Sequence, residues 1–398
     1  MSLLCLIAIA GTSSALALLA HFAVFWLASK QNLIRHTTIP VSILKPLKGL
    51  DDELEANLTS FCRQSHPKYE IIFGAADASD PALNIARKVA AAHPSIPIRI
   101  VVGECPTGLN PKVRVLRALL RSARHDVILI SDSNVRVGAH YLANTTAELE
   151  DPSVGLVSNP IVGVGHVTLG SQLENFQLNS YVIFGLALTN FIGKFACVVG
   201  KSMLMRQSSL RQIGGLAKFA DVLAEDYLIG RAMRRHGFRV VTCPSAIQTI
   251  NKTWSMDRTW ERHLRWSQIR RSLGAPSYIL ELLLFPHLWL LATIGLAVMN
   301  WSSLSPIVIG TCALTVLVTC ISEAAAMLRW SEQSAGSARL LLFVSMRQLA
   351  QVFVWLMAWG KSEVNWRGNK LQIGKGSKLI ATRGRPRRLQ QPFARQAA

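Results

Sequence analysis

The order of apolar and mixed segments divides the chain into parts. Residues 3–29 contain no Lys, Arg, Asp or Glu, and three more apolar stretches follow at about 279–299, 304–328 and 336–359. At 1.5 Å per helical residue, each is long enough to cross about 30 Å of hydrocarbon. Residues 30–278, between the first and the second apolar stretch, mix apolar and polar residues as a globular domain does. We therefore predict an N-terminal membrane anchor (1–30), a globular domain (31–276), C-terminal membrane helices (277–360) and a polar tail (361–398).

Short apolar runs alternate with amphipathic segments in the first half of the globular domain. Alternation of this kind is typical of an α/β domain with a mostly parallel sheet, in which ligands bind beyond the carboxyl ends of the strands. The predicted strands are 41–44, 69–75, 98–102 and 127–131; the predicted helices are 52–64, a helix opened by Pro81, and 112–123.

Residues 176–199 are a further apolar segment within the globular domain. The segment contains Asn179, Asn190 and Lys194, which are costly in a bilayer. We predict a buried or membrane-facing helix of the domain rather than a span.

Basic residues next to the apolar stretches predict the orientation. Lys30 and Arg35 follow the first stretch and none precedes it, so the positive-inside bias places the N-terminus outside and the domain in the cytoplasm. The last stretch contains Arg339, Arg347 and Gln348, which leaves open whether it crosses the bilayer, is re-entrant or lies in the interface. We favour a cytoplasmic tail.

Composition and charge support a membrane protein. Half of the 398 residues are hydrophobic, and 43 Lys and Arg against 23 Asp and Glu give a net charge of +20. Ten basic residues and one acid lie in 361–398, which predicts contact with anionic lipid headgroups. No nucleic-acid motif is visible, and we expect no nucleic-acid partner. The seven cysteines form no CxxC pair, so neither a disulfide framework nor a zinc site is expected.

Polar residues follow two of the predicted strands. Asp77 comes after strand 69–75, where it could be a turn residue or a ligand anchor. Asp132 ends the run VILIS, and Asp132 and Asn134 place two oxygen-bearing side chains on one side of an extended chain. Oxygen ligands suit a hard divalent cation, although a polar loop would have the same residues.

Two later sites combine acids and bases at predicted helices. Asp226 opens a helix, where a carboxylate either stabilises the helix dipole or serves as a general base. Arg262 and Arg265 are neighbours on one helical face beside Trp266, just before the membrane segments. Paired guanidinium groups can bind a diphosphate or lipid headgroups.

These sites and their surrounding residues resemble the membrane-bound glycosyltransferases of the ceramide glucosyltransferase family. The matching segments are Val41-Ser42-Ile43-Leu44-Lys45-Pro46-Leu47-Lys48-Gly49, Asp77 with Asp80-Pro81-Ala82, Asn110-Pro111-Lys112, Asp132-Ser133-Asn134, Ala224-Glu225-Asp226-Tyr227, Arg262-His263-Leu264-Arg265-Trp266 and Trp366-Arg367-Gly368. The motif Asp-Ser-Asn departs from the Asp-x-Asp of related enzymes, and Arg262 stands where related synthases often have Gln.

The resemblance implies a GT-A-type fold that binds a UDP-sugar in the cytoplasm, in a protein of the bacterial inner membrane. Transfer would be inverting, from UDP-glucose or another UDP-hexose to the hydroxyl of a membrane lipid such as ceramide. A hopanoid or other lipid acceptor, and a processive polysaccharide synthase, remain alternatives. The implied roles are a base (Asp226), donor contacts (Lys45, Asp77, Lys112, Arg262, Arg265, Trp266) and ligands of Mg²⁺ or Mn²⁺ (Asp132, Asn134).

Overall fold

The computed structural model describes residues 2–31, 34–193, 197–331, 337–366 and 369–381. The helices are α1 (Leu3–Ala28), α2 (Leu54–Phe61), α3 (Ala82–Ala92), α4 (Pro111–Arg121), α5 (Tyr141–Ala147), α6 (Leu169–Gln177), α7 (Ile183–Ile192), α8 (Gln207–Gln212), α9 (Glu225–Arg235), α10 (Met256–Leu273), α11 (Ala275–Leu280), α12 (Pro286–Met299), α13 (Ser305–Ser331) and α14 (Ser337–Gly360). The strands are β1 (Val41–Pro46), β2 (Tyr69–Ala75), β3 (Ile98–Val102), β4 (Val127–Ser131), β5 (Val135–Arg136), β6 (Val154–Ser158), β7 (Ile161–Val164), β8 (Ser202–Arg206), β9 (Arg239–Thr242), β10 (Ile247–Ile250), β11 (Glu363–Trp366), β12 (Asn369–Ile373) and β13 (Leu379–Ala381).

A seven-stranded sheet forms the centre of the domain, in the order β3-β2-β1-β4-β8-β6-β9. The expected mostly parallel α/β sheet is confirmed, with β8 running antiparallel to both of its neighbours. Since β8 is antiparallel, its first residue lies opposite the last residue of β4: Ser202 pairs with Ser131. This pairing brings the chain before β8 to the carboxyl ends of the parallel strands.

Apolar side chains cover both faces of the sheet, and the central strands β1, β2, β4, β6 and β8 are buried along nearly their whole length. Ile43, Ile71 and Leu129 face a cluster that includes residues of α2 and α3. Their neighbours Leu44 and Ile72 face the opposite cluster, with residues of α4 and α9. Successive residues of a strand point to opposite faces, so continuous apolar runs produce a sheet with two covered faces.

The long apolar helices pack together beside the domain. Helices α1 and α13 are long and apolar enough to cross a membrane, and the α11–α12 region, bent by 69°, would make a third crossing as one span. The ends of α1 and α13 reach the domain, where Leu27 and Trp330 share a cluster with Val162 of β7. The apolar segment at 176–192 is helical, and Ile183 and Phe184 of α7 pack against α1. Residues 194–196 lie outside the described residues.

Helix α14 begins and ends on the domain side of the bundle. It starts a few residues after α13, whose end contacts β7, and it leads into β11, which packs on the domain. Its buried Arg347 pairs with Glu323 of α13 at 2.7 Å. The opposite face is an exposed apolar stripe of Met346, Leu349 and Phe353. An amphipathic helix of this kind suits the membrane interface, one of the arrangements that the sequence left open.

The beginning of the predicted polar tail is folded. Strands β11, β12 and β13 form an antiparallel sheet, in which Val364, Leu371 and Leu379 pack on Leu223 of the domain. The expectation of a solvated tail from residue 361 is therefore corrected for this part, because alternating apolar residues give the segment a face to bury. Residues 367–368 of the motif Trp366-Arg367-Gly368 and residues 382–398 lie outside the described residues, so lipid binding by the tail stays a prediction.

The path of α14 predicts where residues 369–381 lie. In a cysteine-free background, single cysteines at Lys88 of the domain and Lys375 of the C-terminal sheet should react with an impermeant maleimide from the same membrane side. A cysteine at Asn300, between α12 and α13, should react from the other side. Labelling of Lys375→Cys together with Asn300→Cys would show that α14 crosses the bilayer.

Candidate active site at the carboxyl ends of the strands

The Asp132 carboxylate lies at the centre of a group of charged side chains. It directly follows β4, and its side chain is 26% exposed. Lys112 Nζ lies 2.9 Å from Asp132 Oδ1, and Lys201 Nζ lies 3.7 Å from Oδ2. The structure thus places two ammonium groups beside the carboxylate that we expected to bind a metal.

The start of α4 positions Lys112. Asn110 caps the helix by accepting a hydrogen bond from Val113 N at 3.1 Å, and Pro111 fits the first helical turn, where no N–H is needed. Asn110 Nδ2 also donates to Val222 O at 2.8 Å, which ties α4 to the chain before α9. Lys112 therefore projects from a fixed helix terminus, and its Nζ lies 3.3 Å from the Glu225 carboxylate of α9.

Lys45 supports the same strand end from β1. Its fully buried Nζ donates to the backbone oxygen of Asp132 at 2.8 Å and lies 3.6 Å from the centre of the Phe61 ring. Burial lowers the pKa of Lys45 well below its ordinary value. The residue expected in the donor site thus lies beneath Asp132 and holds its backbone.

Asn134 contacts a lysine. Its Oδ1 accepts a hydrogen bond from Lys201 Nζ at 2.7 Å, although we expected this oxygen to face a metal ion. Burial lowers the pKa of Lys201 to about 8, with the Arg262 charge adding to this effect and Asp132 opposing it. Lys201 therefore remains mainly protonated at neutral pH.

Asp226 lies in the first turn of α9 and faces the loop before β8. Its Oδ2 accepts from Gly200 N at 3.0 Å, and its Oδ1 accepts from Tyr227 N at 2.8 Å. A Cβ at residue 200 would lie only 2.5 Å from Asp226 Oδ2, so this close approach requires glycine. Each carboxylate oxygen keeps a second lone pair for a further donor.

The electrostatic surroundings raise the pKa of both acids at the start of α9. Desolvation by the surrounding protein is the main cause for Glu225 and for Asp226, and the nearby Lys112 charge opposes it. For Lys112, burial alone would lower the pKa, but Asp132 and Glu225 raise it above its ordinary value. The site therefore pairs a firmly charged lysine with carboxyl groups that take up protons more readily than usual.

The C-terminal sheet holds the chain just before these acids. Leu223 N donates to Ser377 O at 2.9 Å, and Ala224 N donates to Ser377 Oγ at 2.9 Å. Leu379 N in turn donates to Asp221 O at 2.8 Å. The segment that leads into α9 is thus fixed by residues that lie beyond the last membrane helix.

Helix α10 carries the arginine motif and packs across α6. Arg262 Nη1 lies 2.8 Å from Glu174 Oε1, and His263 Nε2 lies 2.9 Å from Glu174 Oε2. The Arg262 guanidinium also lies 4.9 Å from the Trp254 ring and 4.5 Å from the Trp266 ring. Arg262, expected to face a diphosphate, is thus held in a buried ion pair between two aromatic rings.

Glu174 is fully buried, and its charge depends on this pair. Burial alone would raise the pKa of Glu174, but Arg262 and His263 lower it to about 2. Both partners lie on α10, and Glu174 lies on α6. The pair therefore fixes α10 to the domain and leaves Arg265, one turn further along α10, partly exposed.

Asp77 lies apart from the cluster at the exposed end of β2. Its Oδ1 accepts from Ser79 N at 2.9 Å and from Ser79 Oγ at 2.8 Å. These hydrogen bonds lower the pKa of Asp77, so the carboxylate is charged at neutral pH. Because β2 is the neighbour of β1, Asp77 lies at the same edge of the sheet as the cluster.

The sequence analysis did not identify two residues of the site. Glu174 and Lys201 have no motif of their own, and each acquires its role from an element distant in sequence. The available signal was a charged residue next to a mainly apolar stretch. Glu174 precedes the apolar segment 176–199, and Lys201 precedes the segment Ser202–Arg206.

The oxygen ligands fit a divalent cation only if a ligand supplies further oxygens. In the described ranges, no group of three or more His, Cys, Asp or Glu side chains is arranged as a metal site. Mg²⁺ is commonly bound by one or two carboxylates together with substrate phosphates, and the partly exposed Asp132 is a suitable carboxylate. The residues therefore fit a cation shared with a diphosphate.

Known proteins match almost the whole chain. The model of glycosyl transferase family 21 matches residues 3–379. Ceramide glucosyltransferase 3 of Caenorhabditis elegans is 24% identical over 351 residues, which are 85% of this chain and 74% of that protein. Ceramide glucosyltransferase 1 of the same organism is 30% identical over 220 residues, which are 53% of this chain and 45% of that protein. The chain thus spans less than half the length of the second relative.

A solved structure was also found to be similar. It is the mannosyltransferase PcManGT from Pyrobaculum calidifontis in complex with GDP-Man and Mn²⁺, with a TM-score of 0.49 and 19% identity, covering 89% of this chain and 99% of that one. The family resemblance inferred from the motifs is confirmed. The expected α/β fold with long apolar helices at both ends is confirmed as well.

The Glu174–Arg262 pair leads to a stability prediction. Glu174→Gln should lower the free energy of unfolding by about 3 kcal/mol, because it leaves the buried Arg262 charge uncompensated. Thermal unfolding of the purified protein at pH 7 would measure the loss. The double variant Glu174→Gln/Arg262→Gln should lose less than the sum of the single changes. Additive losses would contradict the pairing.

Proposed function

This chain belongs to glycosyl transferase family 21, and we propose that it transfers a hexose from a UDP-sugar to the hydroxyl group of a membrane lipid. It is a glycosyltransferase related to ceramide glucosyltransferases, which makes UDP-glucose and ceramide the first pair to test. One observation carries the proposal: the Asp132 cluster lies at the strand ends beside α10, the helix that leads from the domain into the membrane helices.

The acceptor side of the proposal rests on the position of α10. Trp260 of α10 contacts Phe353 in the exposed stripe of α14, with ring centres 5.7 Å apart. A lipid headgroup at this interface can reach the site while its chains stay in the bilayer. This matters because each CH₂ group moved into water would cost about 0.8 kcal/mol.

The donor side of the proposal rests on charge. We assign Asp77 to the nucleotide, and Lys112 and Arg265 to the diphosphate, since ammonium and guanidinium groups form charge-assisted hydrogen bonds with phosphate oxygens. Lys45, Arg262 and Trp266 would support this site without touching the donor: Lys45 holds the backbone of Asp132, and Arg262 lies between Glu174 and the Trp266 ring. Asp132 would hold a Mg²⁺ or Mn²⁺ ion, which when bound offsets the charge of the diphosphate.

Asp226 is the proposed general base. The carboxylate takes the proton of the acceptor hydroxyl while that oxygen forms a bond to the anomeric carbon. The bond from the anomeric carbon to the diphosphate oxygen breaks on the opposite face, so the configuration inverts and an α-linked donor gives a β-glycolipid. The surrounding protein raises the pKa of Asp226, which makes it a stronger base.

The proposal predicts a single-sugar product. Purified membranes containing the protein should convert UDP-glucose and ceramide into a monohexosyl lipid that mass spectrometry detects, and membranes without the protein should not. UDP-galactose, UDP-N-acetylglucosamine, a hopanoid and diacylglycerol complete the panel. A long-chain product would support a processive synthase instead, and no consumption of any donor would reject the enzyme.

The proposed base predicts the effect of Asp226→Asn. The variant should lose at least about a hundredfold of the transfer rate, because a general base contributes about 10²–10⁴-fold. Its UDP affinity should stay within about twofold of the wild-type value. Asp126→Asn, at the other end of β4, is the matched control and should keep the full rate. Transfer by Asp226→Asn at a near-normal rate would rule out Asp226 as the base.

A further inference from the structure

Lys201 owes its position to the one strand that runs against the sheet. It precedes Ser202 of β8, and Ser202 pairs with Ser131 of β4. Asp132 follows Ser131, so the antiparallel pairing places residues 201 and 132 side by side at the carboxyl ends of the parallel strands. The neighbouring residue Gly200 forms the close contact with Asp226, which fixes the backbone at this point.

The Lys201 ammonium is buried and held by an uncharged partner. The residue is 8% exposed, and its shortest described contact is the 2.7 Å hydrogen bond to Asn134 Oδ1. The Asp132 carboxylate is 3.7 Å away and already has Lys112 at 2.9 Å. Burying an ammonium group is costly unless a counter-charge compensates it. Asp132 shares the compensation of the two lysines with Glu225, which pairs with Lys112, and with Asp51, whose charge acts on Lys201.

The lysines around Asp132 provide N–H donors for an additional anion. Lys112 shares its charge between Asp132 and Glu225, and Lys45 bonds the backbone oxygen of Asp132. Arg262 and Asp51 are further neighbours of Lys201 and carry opposite charges, and Arg262 is itself paired with Glu174. Because an ammonium group has three N–H donors, Lys201 has the capacity to bind an oxygen besides Asn134 and Asp132.

We propose that Lys201 is a diphosphate-binding residue, a built-in cation that Asn134 aims at the donor. This role of Lys201 rests on the proposed function, because the anion is the diphosphate of the nucleotide sugar. In Asp-Ser-Asn, the third residue then holds a lysine rather than a metal ion. The Lys201 ammonium then supplies part of the positive charge that stabilises the leaving diphosphate.

Lys201 could instead only neutralise Asp132 and stabilise the fold. The two roles differ in one measurable quantity, the preference for UDP over uridine. A residue that touches the diphosphate affects UDP binding and leaves uridine binding unchanged. A residue that only stabilises the site affects both ligands alike.

The experiment measures the affinity of the purified full-length protein for UDP and for uridine by calorimetry, with and without a chelator. The variants are Lys201→Met, Lys201→Arg and, as a matched control, Lys218→Met, which removes an exposed lysine outside the site. In chelator, wild-type protein should bind UDP more tightly than uridine. Lys201→Met should weaken UDP binding about tenfold and change uridine binding less than twofold, as expected for loss of a charge-assisted hydrogen bond. Lys201→Arg should retain part of the preference, and Lys218→Met all of it.

Several outcomes would overturn the role of Lys201. One is an unchanged UDP preference in Lys201→Met; another is an equal loss of UDP and uridine binding. A third is wild-type protein that does not distinguish UDP from uridine in chelator. The proposed donor is tested separately: if the protein binds GDP rather than UDP, the UDP-sugar is wrong, and the same comparison of GDP with guanosine still tests Lys201.

Discussion

The need to compensate one carboxylate organises the site. Asp132 follows a buried strand: α4 brings Lys112 and the loop before β8 brings Lys201 to its carboxylate, and Lys45 of β1 holds its backbone oxygen. This is possible because β1 and β8 are the two neighbours of β4 in the sheet. A carboxylate in such surroundings is costly without these groups, so the fold and the charge distribution depend on each other.

Buried ion pairs join helices within the domain and, separately, within the apolar bundle. On the domain side, Glu174 of α6 binds α10 through Arg262 and His263. On the membrane side, Glu323 of α13 binds Arg347 of α14. Buried ion pairs fix geometry even where they add little net stability. Helix α10 thus has a defined place between the strand ends and α14.

The sequence was most informative where a single segment determines its own structure. Residues 127–131 are a continuous apolar run up to Ser131, and residues 69–75 are apolar apart from Glu70; they form β4 and β2 with the predicted bounds. Asp132 and Asp226 were identified because polar residues at strand ends and helix starts are conspicuous. The roles of Lys201 and Glu174 depend on partners distant in the chain, namely the antiparallel pairing of β8 and the contact between α6 and α10. Local patterns do not encode such pairings, and the same reason explains the missed C-terminal sheet.

The hydrogen bonds of Ser377 link the site to the order in which the chain is synthesised. Ser377 and Ala224 are 153 residues apart, and α10 to α14 all lie between them. During translation, the domain and every apolar helix therefore leave the ribosome before the residue that holds the start of α9. The acids of α9 reach their final setting only once the membrane part is complete, so a nascent domain that has not yet finished insertion lacks the assembled site.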